Sequence, residues 1–563
     1  MENFYPLIPF VIVLSLVAVL ARFIAYALAI AVVCALILFP VMGLVYVIAK
    51  YRYPQLRWGH FQPYLPVVLV GGSGLIGVLW GYWESSKHAD MEDASTFAAV
   101  AGLVAAMSMT LAAWGVLLMF QNTTAGQILR GSQLTSIRQL QRRLNQRTRK
   151  QTVLKPQLAI GGVVLPNPLE TLGLFCVGSP GSGKTQVIQQ LLHRLKYRPD
   201  FRAIILDRNG ELLQQFYTAG QDILFNPRDL RSVSWNHRSE RMEPETIAAA
   251  LVPDDPRERF FSDAARSLLA DLYERCGSNS EVWEAATQFN LEELSTFLAG
   301  GISARYFRAE KTGAGVLSTL VNVLRFYRKL GDGDGFSFSR WAREDDPRWL
   351  FLPIFEDDVA LFRPLHSMAF ELMLKGLLSQ EGRQLKTAVV IDELGALNRL
   401  SSLPRLLSES RKYGGTAILG TQTEAQIRQV YGQEATRTIL QGTATKLILN
   451  CRDGETAQMM AQLLGKQERL DRMHTTSGVW FRPGTRSERI RETYTVMPTE
   501  LQMLPPLQGY LSIADGTPLA RVQITPQSYP SQAERLIKKA TVHPWETEEA
   551  HTLLEGSWEG KGV

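Results

Sequence analysis

Recognisable cysteine and metalloprotease motifs are absent from this sequence. Its four cysteines are widely separated, with no CxxC pair and no metal-ligand spacing: Cys34, Cys176, Cys276 and Cys451. Scattered thiols exclude a disulfide framework and are typical of buried residues in a reducing compartment. The zinc-protease pattern H-E-x-x-H is also missing. The sequence therefore gives no support to a disulfide-rich secreted protein or to a protease of that class.

Charge is almost lacking from the N-terminal region. Between Pro6 and Ala49 the only charged residue is Arg22. The basic segment that opens a signal peptide is missing and the apolar run is too long for one, so we do not expect a signal peptide. One straight helix here would be roughly 65 Å long at ~1.5 Å per residue, against ~30 Å of hydrocarbon. We therefore predict two membrane spans that meet near Arg22.

Two more apolar segments, 64–83 and 97–120, have aromatic residues at their ends, as membrane spans do. The loop at 50–60 is basic and the loop at 84–93 is net acidic, which places the first in the cytoplasm and the second on the other side. We predict a multi-pass region of about four helices with both chain termini cytoplasmic. If the first segment is re-entrant, the number of spans is three.

A basic segment follows the apolar region. Its arginines recur at helical spacing, as in Arg138, Arg142 and Arg143. Clustered arginines neutralise nucleic-acid phosphates, which would make this segment a DNA-binding arm. The same charges also suit a collar that lies against anionic lipid. The sequence leaves both interpretations open.

A glycine-rich turn is the strongest local signal in the remaining 400 or so residues, which contain no repeat or low-complexity tract. An apolar run at 172–178 predicts a buried strand, and 185–198 predicts an amphipathic helix. The turn between them matches G-x-x-x-x-G-K-[ST] at every fixed position. The order strand, loop, helix is the context that this motif, the Walker A motif, requires. Its residues are Gly178, Ser179, Pro180, Gly181, Ser182, Gly183, Lys184 and Thr185.

This motif predicts ATP as the ligand. Backbone N–H groups of the turn would bind the β-phosphate, and Lys184 would reach the β- and γ-phosphates. The Thr185 hydroxyl would ligate Mg²⁺.

A second apolar run ends in two carboxylates. The segment 387–397 reads TAVVIDELGAL, with Asp392 and Glu393 at the carboxyl end of the predicted strand. Ligands of α/β sheets bind at that end. Asp392 is a candidate ligand of the Mg²⁺ shell, and Glu393 a candidate general base for the attacking water. A strand that simply ends in a solvated acidic pair is the alternative, and the complete Walker A motif argues against it.

About 200 residues separate the two motifs, more than a compact nucleotide-binding core needs. Apolar residues at helical spacing predict helices at 260–276 and 315–330. We predict an all-α domain inserted at 239–345. The GDGDG segment at 331–335 lacks the ligand spacing of a calcium site.

Two long stretches resemble the TraD-type coupling proteins of conjugative type IV secretion systems. One reads RAIILDRNGELLQQFY, followed by DILFNPRDLRSVSWN, within 202–236; the other, IDELGALNRLSSLPRLLSESRKYGGTAILGTQTEAQIRQVYG, covers 391–432. The resemblance extends over most of 130–525. It implies an α/β fold with a RecA-like P-loop domain. It also implies a homo-hexameric inner-membrane ATPase that delivers relaxase-bound single-stranded DNA to a secretion channel.

The resemblance also implies roles for two further residues. Arg411 matches the position of an arginine finger that reaches the ATP site of the neighbouring subunit, although Lys412 beside it is a competitor. Gln422, in LGTQT, matches a sensor glutamine.

Other functions stay open from the sequence alone. One alternative is an FtsK-like translocase of double-stranded DNA, although such proteins usually have a long linker and a winged-helix DNA reader, which are not visible here. Another is a coupling factor that mainly recruits protein effectors. Cargo cannot be identified, because a motor that grips phosphates needs no base-reading motif.

The predicted regions are transmembrane (1–125), basic juxtamembrane (126–157), first nucleotide-binding part (158–238), all-α insertion (239–345), second nucleotide-binding part (346–530) and polar tail (531–563).

Overall fold

The computed structural model describes residues 127–148, 156–254, 257–333, 335–475, 485–513 and 516–539. The chain divides into two compact units, Met1–Leu129 with Glu468–Arg491, and Arg130–Gln467 with Glu492–Val563. The predicted membrane spans lie outside the described residues. Within those residues, every helix is too short or too polar to cross a bilayer.

Fifteen strands occur in the described part of the chain. Ten of them form one large sheet, β3 and β4 form a hairpin, and β1, β12 and β13 form a three-stranded sheet in the order β1-β12-β13. The strands are β1 (Gln127–Gly131), β2 (Leu134–Thr135), β3 (Ala159–Ile160), β4 (Val163–Val164), β5 (Leu174–Val177), β6 (Phe201–Arg208), β7 (Ile223–Leu224), β8 (Leu350–Ile354), β9 (Lys386–Ile391), β10 (Gly415–Thr421), β11 (Thr445–Ile448), β12 (Lys466–Thr475), β13 (Thr485–Tyr494), β14 (Gln508–Ile513) and β15 (Leu519–Gln523).

The helices are mostly grouped between strands of the large sheet. They are α1 (Ile137–Thr148), α2 (Asn167–Glu170), α3 (Lys184–Lys196), α4 (Glu211–Phe216), α5 (Pro244–Leu251), α6 (Arg259–Arg275), α7 (Asn279–Thr287), α8 (Leu291–Phe297), α9 (Glu310–Leu324), α10 (Phe338–Arg343), α11 (Val359–Leu377), α12 (Leu403–Tyr413), α13 (Glu424–Gly442), α14 (Gly454–Leu464) and α15 (Pro498–Gln502). Short 3₁₀ segments occur at His237–Glu240, Ser303–Arg308, Arg325–Lys329, Glu356–Asp358 and Leu394–Ala396.

The large sheet has the order β2-β15-β14-β11-β5-β10-β9-β6-β8-β7. The seven strands from β11 to β7 run parallel, whereas β14 is antiparallel to β11 and to β15. Parallel strands that are covered on both faces consist largely of apolar residues, and the four residues of β5 are all buried. This mixed sheet confirms the predicted α/β fold.

Alternating side chains of the strands build a core on each face of the sheet. Phe175 and Val177 belong to the larger core, which also contains the buried residues of α6, α9 and α11. Leu174 and Cys176 point to the other face and join the buried side of α3. The sheet is therefore the middle layer of three.

Helices α5 to α10 lie between β7 and β8, in the region predicted to be an all-α insertion. The predicted helix at 260–276 corresponds to α6. The one at 315–330 begins earlier, at Glu310, and gives way to a 3₁₀ segment at Arg325.

Arg202 in β6 ties these helices to the sheet. Its guanidinium is fully buried and donates to Thr387 Oγ1 at 3.0 Å and to the backbone oxygens of Trp341 (2.7 Å), Ala342 (3.0 Å), Glu344 (2.8 Å) and Asp346 (2.8 Å). Carbonyls of the last turn of α10 and of the residues that follow it are thereby satisfied by a cation.

The basic segment forms helix α1, which is part of the packed fold. Leu140 and Leu144 are buried in the core that contains Leu158 and Val163, whereas Arg138 and Arg142 are exposed. One face of α1 thus packs against the domain, and Arg138, Arg142 and Arg143 lie on the outer face.

Candidate functional site

The glycine-rich turn forms where β5 ends and α3 begins. Gly181 has φ +78° and Gly183 has φ +107°, a region that residues with a Cβ rarely adopt. The Ser182 N–H donates to the Ser179 oxygen at 3.0 Å. The chain is thus folded tightly, and Lys184 is placed in the first turn of α3. The N-terminus of a helix favours anions, since its first N–H groups lack intrahelical acceptors.

Neighbouring segments hold this turn from three sides. The Gly178 N–H donates to the Thr421 oxygen at the end of β10 at 3.2 Å, and the Ser179 N–H donates to the Asn450 oxygen at 2.8 Å. The Leu507 N–H donates to the Ser182 oxygen at 2.9 Å. The turn is therefore fixed by the sheet and does not depend on its local sequence alone.

The acidic pair lies directly after β9. Glu393 is buried, and its Oε2 accepts from Lys184 Nζ at 3.1 Å. Its Oε1 accepts from Thr421 Oγ1 at 3.4 Å. The sequence separates Lys184 from Glu393 by 209 positions, and the sheet brings them into contact.

Asp392 is 9% exposed and lies on the same sheet edge. Burial raises the pKa of its carboxyl, and the positive charge of Lys184 opposes that rise. Among the described residues, Asp392 Oδ1 and Ser182 Oγ are buried without a hydrogen-bond partner. Such oxygens and hydroxyls are rarely left unpaired, so the site fits a cation and a phosphorylated ligand.

The donor set suits Mg²⁺. Carboxylate and hydroxyl oxygens, here of Asp392 and Thr185, are its preferred ligands, and it usually takes only one or two from the protein. The described residues contain no cluster of three or more His, Cys, Asp or Glu side chains placed to hold a metal. A magnesium ion at this site would therefore depend on phosphate and water for its other ligands.

A cavity of about 460 Å³ opens over the turn and the acidic pair. Most of the predicted site residues line it, namely Gly178, Ser179, Pro180, Gly181, Gly183, Lys184, Thr185, Asp392, Glu393 and Gln422. Ser182 is buried beneath this lining. Gln422 follows directly on β10, the strand between β5 and β9.

Arg411 is not among the residues that line the cavity. It is exposed on α12, which leads into β10 at Gly415, the opposite end of the strand from Gln422. At ~3.3 Å per residue, the strand separates Gly415 from Gln422 by ~23 Å. Within the described residues, the Arg411 side chain forms no hydrogen bond or ion pair, whereas Lys412 Nζ pairs with Glu381 Oε1 at 2.7 Å.

Sequence reasoning missed several cavity residues, which are Gln186, Gln189, Arg208, Glu211, Pro506 and Leu507. Arg208 ends the buried strand β6 and Glu211 follows it closely. A polar turn at the carboxyl end of a parallel strand was a usable signal for both. No pattern in the sequence marked Leu507, because β14, a strand far along the chain, brings it over the turn. Its φ is +62°, and a methyl group on Gly183 would lie 2.7 Å from Leu507 Cδ2.

A family profile described as the type IV secretion-system coupling protein DNA-binding domain matches residues 157–525. The coupling protein TraD of Escherichia coli (strain K12) is 27% identical over 389 residues, which are 65% of this chain and 54% of TraD. The chain thus spans about half the length of this curated relative.

The solved structures that resemble this fold include two of the plasmid coupling protein TrwB. One is a complex with the ATP analogue ADPNP, with TM-score 0.65, 25% identity, and coverage of 74% of this chain and 98% of TrwB. The other is a complex with ADP and Mg²⁺, with TM-score 0.63, 25% identity, and coverage of 73% and 98%.

Proposed function

Because this chain belongs to the family of type IV secretion-system coupling proteins, we propose that it is an ATPase that recruits relaxase-bound single-stranded DNA and drives it into a secretion channel during conjugation. The observation that carries the proposal is the cavity in which Lys184, Asp392 and Glu393 meet at one edge of the sheet. The nucleotide complexes of TrwB support ATP and Mg²⁺ as its ligands. Family membership also favours coupling over chromosome segregation.

Each residue of the cavity has a proposed role toward ATP. The N–H groups of Gly181 and Gly183, together with those of the first turn of α3, bind the β-phosphate, and Lys184 contacts the β- and γ-phosphates. Thr185 and Asp392 hold Mg²⁺, which neutralises phosphate charge when bound. Gln422 senses the terminal phosphate from the tip of β10.

The ion pair between Lys184 and Glu393 suggests how binding and chemistry are ordered. Lys184 Nζ lies 3.1 Å from Glu393 Oε2, and a triphosphate competes for the same ammonium. When Lys184 turns to the phosphates, Glu393 loses its charge partner and becomes a better acceptor for a proton from water. The carboxylate is then available as general base only beside a bound nucleotide.

Arg411 is proposed to act on the adjacent subunit of a homo-hexamer. The ~23 Å length of β10 separates it from its own ATP site. Its side chain is exposed and has no partner among the described residues, so it is available to another subunit. A ring of identical subunits brings such a side chain to the next ATP site. There it would act as an arginine finger and stabilise the negative charge on the phosphoryl group in the transition state.

We place the protein in the bacterial inner membrane, with the ATPase and both termini cytoplasmic. The four apolar segments of the sequence and the charges of the loops between them support this placement. The exposed arginines of α1 face either lipid or DNA. Binding to single- or double-stranded DNA through phosphates is expected to be tolerant of sequence and steeply salt-dependent.

ATP hydrolysis by the full chain in detergent micelles, with and without single-stranded DNA, tests the proposal. We expect weak hydrolysis that DNA stimulates, and none in Lys184→Ala prepared in the same way. If assembled rings bind no DNA at low salt and hydrolyse ATP at the same rate with or without it, the protein is not a DNA motor.

A further inference from the structure

A second cation, Arg208, faces the nucleotide cavity without a role assigned so far. It is the last residue of β6 and lines the cavity together with Lys184 and Asp392. Its guanidinium is bound to Glu356, with Nη2 at 2.6 Å and Nε at 3.1 Å from the same carboxylate oxygen, Oε2. Among the described residues, this cation has one side-chain partner, and that partner is not among the residues that line the cavity.

The pair with Glu356 is easily exchanged. The side chain of Glu356 is 66% exposed and that of Arg208 is 28% exposed, so water screens their attraction. Ion pairs of this kind contribute little to stability. Both donors share one oxygen, whereas a guanidinium is suited to two parallel bonds with a carboxylate or a phosphate. An anion that accepts both bonds would therefore compete well for Arg208.

The sheet order fixes which part of a nucleotide Arg208 faces. The glycine-rich turn follows β5, the acidic pair follows β9, and Arg208 ends β6, on the far side of β9 from the turn. A phosphate chain that starts at the turn and runs toward Asp392 has its terminal group nearest β6.

The backbone keeps Arg208 at this position. The N–H of Asn209, the next residue, donates to the Ile354 oxygen at the end of β8 at 3.0 Å. Glu356 follows Ile354 closely, so the carboxylate and the guanidinium come from the ends of adjacent strands. Only the side chain has to move for Arg208 to change partner.

We propose that Arg208 binds the terminal phosphate of ATP within its own subunit, in exchange for Glu356, and so makes the site prefer ATP to ADP. The inference rests on the proposed ATPase function and deepens it. ADP lacks the phosphate that would replace Glu356, so Arg208 stays paired with the carboxylate when ADP is bound. Since β8 follows the inserted helices, the exchange also changes a contact next to that region.

Equilibrium binding of fluorescent N-methylanthraniloyl ATP and ADP to the full chain, with Mg²⁺, tests this exchange. We expect Arg208→Gln to weaken ATP binding by about tenfold or more, as loss of a charge-assisted double hydrogen bond implies, and to leave ADP affinity nearly unchanged. Glu356→Gln removes the competitor and is expected to tighten ATP binding severalfold. In the double variant, Glu356→Gln should have no further effect.

Arg348→Gln is the matched control. Arg348 precedes the other end of β8, away from the cavity, and pairs with Asp346 at the same distance of 2.6 Å. It should leave both affinities unchanged. If Arg208→Gln weakens ATP and ADP equally, or if Glu356→Gln acts the same with and without Arg208, the exchange does not occur. If the wild-type chain binds neither nucleotide, the proposed ATPase function fails, and this inference fails with it.

Discussion

Substitution of Arg411 tests the chemistry and the assembly together. The arginine lies near the end of α12, beside the end of β10 that is ~23 Å from Gln422, so it cannot reach the cavity of its own chain. We expect Arg411→Ala to preserve ATP binding and to lower turnover by about 10³ or more, as loss of an arginine finger does. Arg411→Lys should recover little, because an ammonium is a point charge and cannot form two parallel bonds with phosphate oxygens.

Mixing two inactive variants gives a quantitative test of an ATP site that is shared between subunits. An Arg411→Ala subunit keeps Glu393, and a Glu393→Gln subunit keeps Arg411. In rings mixed at random in equal amounts, about a quarter of the interfaces combine an intact Glu393 with an intact Arg411. Steady-state phosphate release should therefore recover to about a quarter of the wild-type rate, if the interfaces act independently.

The outcome of mixing separates the two possible roles of Arg411. Subunit exchange is followed in parallel by energy transfer between labelled subunits. If exchange is complete and phosphate release stays at the level of the separate variants, Arg411 does not act between subunits. Lys412→Ala is the neighbouring control, and it should affect turnover little, since Lys412 pairs with Glu381 in its own chain.

Three other predictions concern the site and its surroundings. Lys184→Ala should lose ATP affinity and turnover together, measured by nucleotide titration and phosphate release, because Lys184 is proposed to contact ground-state and transition-state phosphates alike. Glu393→Gln should bind ATP and accumulate assembled rings in size-exclusion chromatography while hydrolysis falls by orders of magnitude; normal turnover would remove Glu393 as the base. Burial raises the pKa of Asp207 from 3.8 to about 7, so the folded state holds a proton that the unfolded chain has released, and stability should fall as pH rises across that interval. Asp207→Asn, which keeps an acceptor for the Leu213 N–H now 2.6 Å from Asp207 Oδ2, should flatten the dependence of Tm on pH over that interval; an unchanged slope would assign it to other groups.

The parts of the site that the sequence predicted depend on local patterns. Gly181 and Gly183 are spaced as the turn requires, and Asp392 follows an uninterrupted apolar strand. Both patterns lie within about ten residues, so chain connectivity alone places them at strand ends. Their meeting could be predicted because parallel strands expose their carboxyl ends at one edge.

The parts that the sequence did not predict depend on distant segments. Leu507 reaches the turn through the antiparallel strand β14, and nothing in its neighbourhood marks a left-handed φ at a leucine. The arginines of α1 suggested an arm or a collar, yet Leu140 and Leu144 of the same helix belong to the core of the domain. Arg208 was present in a quoted motif, but its partner Glu356 comes from the far side of the inserted helices.

Movement of DNA is the central claim, and displacement of streptavidin from biotinylated single strands measures it directly. With the full chain and ATP, we predict displacement from the strand labelled at one end and not at the other. No displacement should occur with a non-hydrolysable analogue or with Glu393→Gln. If DNA stimulates hydrolysis by assembled rings and streptavidin stays bound at both ends, the protein does not translocate DNA, and the account is contradicted.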